Sequence, residues 1–232
     1  FVAAGLSGIN LIMVLIWLPE SLSQEKRKEI ISKDQPTITP KVLLEVLRRP
    51  KVGPILNISF FYGLAFALFT TMFSLFAQYE LALDARQTGY VLAYVGFLIA
   101  LVQGVGVGMI AKRYEEKWII LVATIILCLS LAAWAVTPSI PVLLLVMIPL
   151  ALPSGVLNTI LRSSLTKSVQ ADEVGGILGL SASFESLTRV IAPGLGGFLL
   201  GSIGTWAPGL VGAGIMIGVV FYAWARIVRE RS

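Results

Sequence analysis

Apolar residues are gathered into seven long runs along the chain, and charged residues, prolines or glycines bound these runs. A helix that crosses a lipid bilayer needs about 20 mainly apolar residues. All seven runs come close to this length or exceed it. They are residues 1–18, 52–79, 87–111, 118–136, 142–161, 174–203 and 206–225. The pattern predicts an all-α integral membrane protein that crosses the bilayer several times.

Composition favours the same fold class. Of the 232 residues, 56% are hydrophobic and only 13% are charged, whereas a soluble domain carries roughly 25% charged residues. A soluble globule of this size could not hide so much apolar surface. The net charge of +5 would suit a nucleic-acid partner only if the basic residues formed one patch, but they lie between the apolar runs. We therefore expect lipid surroundings and no nucleic-acid partner.

The basic residues also indicate an orientation. If every run crosses the bilayer, almost all lysines and arginines fall on one side, in segments 19–51, 112–117, 162–173 and 226–232. The opposite side holds only Arg86, and Arg189 lies within a run. Because basic loops stay in the cytoplasm, the C-terminus is expected to be cytoplasmic. We expect a multi-pass protein of the plasma, or inner, membrane.

Segment 19–51 is the only long connection between the runs, and a loop of this length usually joins two halves. Its last part, residues 41–49, is predicted to be a short helix at the membrane interface, because its apolar residues can face lipid while its charges face water. These apolar residues are Val42, Leu43, Val46 and Leu47. Glu45 and Arg49 are spaced to form an i,i+4 ion pair.

Catalysis finds little support in the residue types. The chain has no histidine and one cysteine, Cys128, within an apolar run. Neither a disulfide framework nor a thiolate metal site is expected, and no paired carboxylates lie near a plausible base. No glycine-rich phosphate loop is present either, so a gradient-driven process is preferred to one coupled to ATP. We expect no enzyme activity, cofactor or metal.

Two charged residues, Glu185 and Arg189, lie within the run 174–203. A charge inside lipid is costly, so both are candidates for transport or coupling. Their i,i+4 spacing places them on one helix face, where the arginine would hold the glutamate ionised. Alternatively, they form a structural ion pair near the cytoplasmic interface, because residue 185 lies only about 17 Å along the helix from residue 174.

Uncharged residues suggest the lining of a cavity. Gln103 and Asn158 are polar groups at membrane depth and need a partner helix, a water or a ligand. Phe66 and Phe69 belong to an aromatic-rich second run and could line an apolar cavity. The alternatives are bonding between helices for the polar pair and packing against lipid or neighbouring helices for the rings.

The fifth run is expected to bend. Pro153 and Gly155 interrupt it, and a proline removes one hydrogen bond of the helix ladder. Membrane transporters use such interrupted helices as gates.

The segment 108–117 joins the third and fourth runs and contains Gly108, Lys112 and Arg113. It resembles a degenerate second copy of the cytoplasmic loop signature of major facilitator superfamily transporters. Lys112 stands where that signature has an aspartate, and Glu115 where it has a glycine.

The sixth run contains Pro193 followed by closely spaced glycines: Gly194, Gly196, Gly197 and Gly201. This sequence resembles the proline and glycine core of the antiporter motif of the same superfamily. The missing side chains would allow a neighbouring helix to approach, and Pro193 would bend the helix. Generic small-residue packing is the alternative. The stretch 161–179, a basic loop followed by acidic residues and a glycine pair, is also similar to the drug and tetracycline exporter branch.

This resemblance covers nearly the whole chain and implies the second half of such a transporter. The seven runs then correspond to helices six to twelve. Residues 1–18 end the N-terminal bundle, 19–51 form the cytoplasmic linker, 52–225 form the C-terminal six-helix bundle and 226–232 form a cytoplasmic tail. The N-terminal bundle would be a partner that this chain lacks.

The resemblance further implies secondary active transport by alternating access, with proton-coupled export of lipophilic, drug-like compounds as the main hypothesis. Glu185 and Arg189 would tune the coupling, and the other candidates would meet substrate or set helix packing. Two alternatives stay open. One is import of an organic anion or metabolite that pairs with Arg189, and the other is a receptor or scaffold without transport.

Overall fold

The computed structural model describes residues 2–17, 40–171 and 173–229, and within these ranges every regular element is a helix. The chain divides into two compact units, residues 1–43 and 44–232. In the first unit, helix α1 (Val2–Trp17) occupies the first predicted run. The predictions for residues 18–39 and 230–232 lie outside the described residues.

From residue 40 onward, the described chain forms eight α-helices, each close to a predicted run or segment. They are α2 (Pro40–Arg48), α3 (Gly53–Leu81), α4 (Ala85–Leu101), α5 (Val107–Arg113), α6 (Glu116–Ala135), α7 (Ile140–Lys167), α8 (Val174–Ser202) and α9 (Ala207–Ala223). Two π-helical segments interrupt this regularity. Val102–Gly106 joins α4 to α5, and Trp224–Arg229 extends α9.

Five of the described helices are long and apolar enough to cross a membrane. They are Gly53–Leu81, Ala85–Arg113, Glu116–Ala135, Ile140–Lys167 and Ala207–Arg229. Helix α8 has 29 residues but is less apolar, because glycines, serines and two charges interrupt its hydrophobic residues. The prediction that α8 crosses the membrane therefore rests on its place between its neighbours in the chain.

Helix α3 packs against α7, α8 and α9, and its aromatic side chains form much of the core. Phe69 is buried and meets Trp134 of α6 edge to face, with ring centroids 4.9 Å apart. Phe76 contacts the same indole at 5.0 Å. The hypothesis that Phe69 lines a cavity is wrong, because this ring fills the space between α3 and α6.

One glycine of the sixth run brings two helices together. A Cβ at Gly196 would lie 2.6 Å from Met72 Cγ, so α8 approaches α3 closely there. A Cβ at Gly194, Gly197 or Gly201 would meet no described atom within 4 Å. Within the described chain, the prediction that all four glycines admit a neighbouring helix therefore holds at Gly196 alone.

Helix α7 continues to Lys167, beyond the predicted end of its run at residue 161. Leu161 and Leu165 are buried on one face of this extension. Ser164 and Lys167 both donate to Glu116 at the start of α6, each at 2.5 Å. The interpretation of this stretch as a loop is wrong, because buried leucines at helical spacing and these polar bonds stabilise two more helical turns.

A serine compensates for the proline within α7. Pro153 has no N–H, so the carbonyl of Pro149 lacks its α-helical donor. Ser130 Oγ of α6 lies 2.7 Å from Pro149 O. It lies at the same distance from Ile126 O, which already accepts the helical N–H of Ser130. The hydroxyl thus stabilises the interrupted turn of α7.

The expected ion pair between Glu45 and Arg49 is replaced by another. Arg49 Nη1 lies 2.9 Å from Glu173 Oε1, next to the first turn of α8. Val46, expected to face lipid, is buried within the protein. Arg49 therefore ties the segment after α2 to the start of α8.

Candidate functional site

A cavity of about 350 Å³ lies between α3, α7 and α8. Its lining residues share helical spacing on each element. They are Ser59, Tyr62, Gly63, Phe66, Ala67 and Thr70 on α3, Asn158, Leu161 and Arg162 on α7, and Ser181, Glu185, Thr188 and Arg189 on α8. Because positions three, four and seven residues apart share a helix face, one face of each helix supplies the lining.

Small residues allow α3 and α8 to approach beside this cavity. A Cβ at Gly63 would lie 3.6 Å from the Thr188 side chain. The Thr188 hydroxyl donates back to the carbonyl of Glu185 at 2.8 Å. This bond satisfies the hydroxyl within its own helix, so the charged groups of α8 remain the strongest polar features of the wall.

A salt bridge crosses the cavity from α7 to α8. Arg162 Nη2 lies 2.7 Å from Glu185 Oε1, and the two side chains are 54% and 33% exposed. Glu185 was expected to pair with Arg189 of its own helix. That expectation is wrong in the structure, because the longer α7 brings Arg162 to the carboxylate.

Arg162 is the charged lining residue that was not predicted from the sequence, because the fifth apolar run ends at residue 161. A signal was present nevertheless. It follows Asn158 by four positions, and the apolar spacing of Leu161 and Leu165 continues past the predicted end of the run. Extending the helical period through the charge would have placed Arg162 on the face of Asn158.

The cavity holds more positive than negative charge. Arg162 and Arg189 supply two guanidinium groups, and Glu185 supplies one carboxylate, which leaves a formal charge of one positive unit. Among the described acidic residues, none lies within ion-pair distance of Arg189. The backbone beside it is also unusual, because Pro193 removes the N–H that would bond the carbonyl of Arg189.

The rest of the lining is partly aromatic. Tyr62 is buried, and its hydroxyl donates to Ser154 O of α7 at 2.9 Å. Its ring stacks on Phe66 with centroids 6.0 Å apart. Since the Tyr62 hydroxyl is occupied, both rings offer mainly apolar surface. The site therefore combines an apolar wall with charged groups, which suits an amphipathic ligand.

Other predicted site residues lie elsewhere. Gln103 is exposed within the π-helical segment and does not line this cavity. Gly155 is buried on α7, where a Cβ would lie 3.4 Å from Ile99 O of α4. Pro153 is buried on α7, whereas Pro193 is exposed on α8. None of these four residues is part of the cavity lining.

The loop segment is also separate from the cavity. Gly108, Lys112 and Arg113 are exposed on α5. A Cβ at Gly108 would meet no described atom within 4 Å, and the Arg113 guanidinium lies 6.0 Å from the centre of the Tyr114 ring. Among the described residues, no group of His, Cys, Asp and Glu side chains could hold a metal ion.

Comparison with known proteins assigns the fold to a family. The family model described as Major Facilitator Superfamily matches residues 55–232. Solute carrier family 22 member 18 from Mus musculus is 29% identical over 83% of this chain and 47% of its own length. Tetracycline resistance protein, class D, from Salmonella ordonez is 31% identical over 66% of this chain and 38% of its own length.

A solved structure has the same fold. The human organic anion transporter MFSD10 (TETRAN) superposes with a TM-score of 0.68 at 20% identity, over 93% of this chain and 54% of that one. The chain spans about half the length of the relatives it matches. The helical structure and this likeness confirm the predicted all-α membrane fold. The chain belongs to the major facilitator superfamily.

Proposed function

We propose that this chain is the C-terminal six-helix bundle of a gradient-driven transporter, with α1 as the last helix of the N-terminal bundle. The transported substrate is a lipophilic, drug-like compound, and its export is coupled to proton entry. One observation carries this proposal: the cavity contains a carboxylate, Glu185, held by an arginine of a different helix at 2.7 Å. Relatives named as tetracycline resistance proteins support the exporter branch.

The ion pair provides a route for coupling. A proton that binds Glu185 removes the attraction to Arg162 and so loosens α7 from α8. Substrate binding against Phe66 and Leu161 favours one of the two arrangements over the other, and only such a difference in affinity can shift a conformational equilibrium. Rocking of this bundle against the N-terminal bundle then exposes the cavity to each side in turn.

The lining fits a lipophilic substrate with a polar group. Phe66, Ala67 and Leu161 offer apolar surface, while Asn158 offers an amide that can donate or accept a hydrogen bond. An apolar lining with a few placed polar groups is typical of small-molecule sites. The N-terminal bundle would supply the opposite wall of the cavity.

The test is efflux of a fluorescent lipophilic dye from inverted membrane vesicles containing the full-length protein, with and without an imposed proton gradient. Gradient-dependent dye movement is expected, and Glu185→Gln should abolish its dependence on pH. Glu115→Gln is the matched control, because Glu115 is 70% exposed, lies outside the cavity and pairs with the nearby Lys117 at 3.0 Å. Unchanged transport by Glu185→Gln at every pH would remove Glu185 from the mechanism.

Transport of an organic anion is the second candidate, and the positive charge of the cavity favours it. Arg189 can pair with a carboxylate or sulfonate of the substrate while Arg162 stays on Glu185. In the same vesicles, Arg189→Gln should then impair movement of an anionic dye and spare a neutral one. Arg86→Gln is the control, since the guanidinium of Arg86 is held by Tyr90 at the opposite end of the bundle.

A further inference from the structure

A second opening, an apolar groove of about 310 Å³, lies between α3 and α9. Asn57 and Phe61 line it from α3, and Gly214, Gly218, Val219 and Tyr222 line it from α9. It shares no lining residue with the cavity that contains Glu185. The two openings are therefore separate sites.

Glycines shape the groove. Gly214 and Gly218 are four positions apart on one face of α9, and a Cβ at either would meet no described atom within 4 Å. Gly212, on another face of α9, differs because a Cβ there would lie 3.7 Å from Ala65 O of α3. Gly212 thus serves helix packing, whereas the exposed Gly214 and Gly218 leave a trough beside that contact.

The groove has one polar end. Gly212 approaches Ala65, while Tyr222 and Asn57 line the same groove, so the end of α9 lies beside the beginning of α3. Asn57 and Tyr222 mark this end, and Asn57 Nδ2 donates to Gly53 O at 3.0 Å. The lining residues that precede Tyr222 on α9 are glycines and aliphatic side chains.

Two exposed basic residues belong to the chain segments next to the polar end. Lys51 lies two residues before α3, and Arg229 lies in the π-helical extension of α9. No described residue that lines the groove is acidic. The α3 and α9 segments are both apolar enough to cross a membrane, and Phe61 is 44% exposed at the groove. Hydrocarbon within the bilayer can therefore reach the groove from the side.

We propose that this groove binds an anionic phospholipid of the bilayer, with one acyl chain lying over Gly214 and Gly218 and the headgroup phosphate at the basic end. The apolar trough removes the acyl chain from contact with other lipids. Lys51 and Arg229 complement the negative phosphate, as basic sites between membrane helices do for acidic lipids. A neutral lipid would gain the contact with the apolar trough but not the attraction of these two residues.

The experiment is native mass spectrometry of the full-length protein in detergent, with dioleoylphosphatidylglycerol or dioleoylphosphatidylcholine added at equal concentration. Preferential retention of phosphatidylglycerol is expected. Gly218→Leu fills the trough and should lower retention of both lipids about tenfold. Gly96→Leu is the matched control, because Gly96 is an exposed glycine of α4 with no described atom within 4 Å of its Cβ position.

A second variant tests the headgroup separately. The Lys51→Gln, Arg229→Gln double variant should remove the preference for phosphatidylglycerol while leaving phosphatidylcholine retention unchanged. Retention by Gly218→Leu equal to that of the unmodified protein would overturn the proposal. So would equal retention of both lipids by the unmodified protein, or loss of a dimer rather than of lipid in Gly218→Leu, because the groove would then be an interface between copies.

Discussion

Arg162 Nη2 of α7 and Glu185 Oε1 of α8 lie 2.7 Å apart, so this ion pair joins two walls of the same cavity. No other described ion pair crosses this cavity. The pair is half-exposed, so water weakens its attraction and keeps it breakable. An ion pair of this strength can break and re-form, which suits a switch between two arrangements of α7 and α8 better than a permanent contact.

Reversing the pair tests whether the two charges act together. Arg162→Glu and Glu185→Arg should each impair transport, because each leaves two like charges facing one another. The double variant should recover part of the activity, with a coupling energy of about 1 kcal/mol in a double-mutant cycle. The cycle compares the initial rates of dye efflux by the unmodified protein, the two single variants and the double variant. Additive losses without recovery would show that the residues act independently.

Phe66 and Phe69 are predicted to respond differently to truncation. Phe69→Ala opens a hole against Trp134 and should destabilise the protein by about 3–5 kcal/mol. Phe66→Ala removes half-buried surface from the cavity, so it should raise the KM for a lipophilic substrate with a smaller loss of stability. Thermal unfolding in detergent and concentration-dependent efflux measure the two effects. A change of KM in Phe69→Ala without a change in Phe66→Ala would contradict the placement of both rings.

Ser130→Ala should reveal the contribution of the bond to Pro149. The carbonyl would lose its donor within a buried region, at a cost of about 1 kcal/mol. Ser186→Ala is the control, because the exposed Ser186 hydroxyl donates to Ala182 O of its own helix. Comparison of the two midpoints of thermal unfolding gives the result, and equal midpoints would mean that a water replaces the hydroxyl.

Gly196→Ala should destabilise the contact between α8 and α3. The added methyl group would lie 2.6 Å from Met72 Cγ, and overpacking of this kind costs roughly 1–3 kcal/mol. Gly197→Ala, on the next residue, has open space and should be neutral or slightly stabilising, since alanine is the better helix former. Met72→Ala should cost less stability in Gly196→Ala than in the unmodified protein, because the added methyl group fills part of the space that the shorter side chain leaves. Thermal unfolding of the unmodified protein and these variants distinguishes packing from a general effect of glycine replacement.

The sequence was sufficient to locate the helices because a run of apolar residues as long as the bilayer is thick has few alternative structures. It was not sufficient to decide how each helix is rotated about its axis. That is why Phe66 faces the cavity while Phe69 faces Trp134, and why Gly196 packs while Gly197 does not. Rotation depends on the neighbouring helices, which a pattern along one chain does not specify.

The partner of Glu185 was missed because the helical spacing was not followed past a charged residue. A charge at the end of an apolar run marks a boundary in any hydropathy pattern, so Arg162 was placed outside the helix. In the structure a buried leucine face continues past the charge, and the arginine turns toward the cavity. Helical period therefore outweighs polarity when a charged residue has a partner on a neighbouring helix.

The π-helical segment at Val102–Gly106 affects how this chain should be aligned with its relatives. A π turn accommodates one residue more than an α turn does, and one residue corresponds to about 100° of helical rotation. In a relative that is purely α-helical at this point, the two flanking helices would turn the same faces toward their neighbours as α4 and α5 do only if the sequence were one residue shorter here. A single-residue gap between positions 102 and 106 is thus the expected evolutionary trace of an insertion that the fold absorbed without shifting either flanking helix.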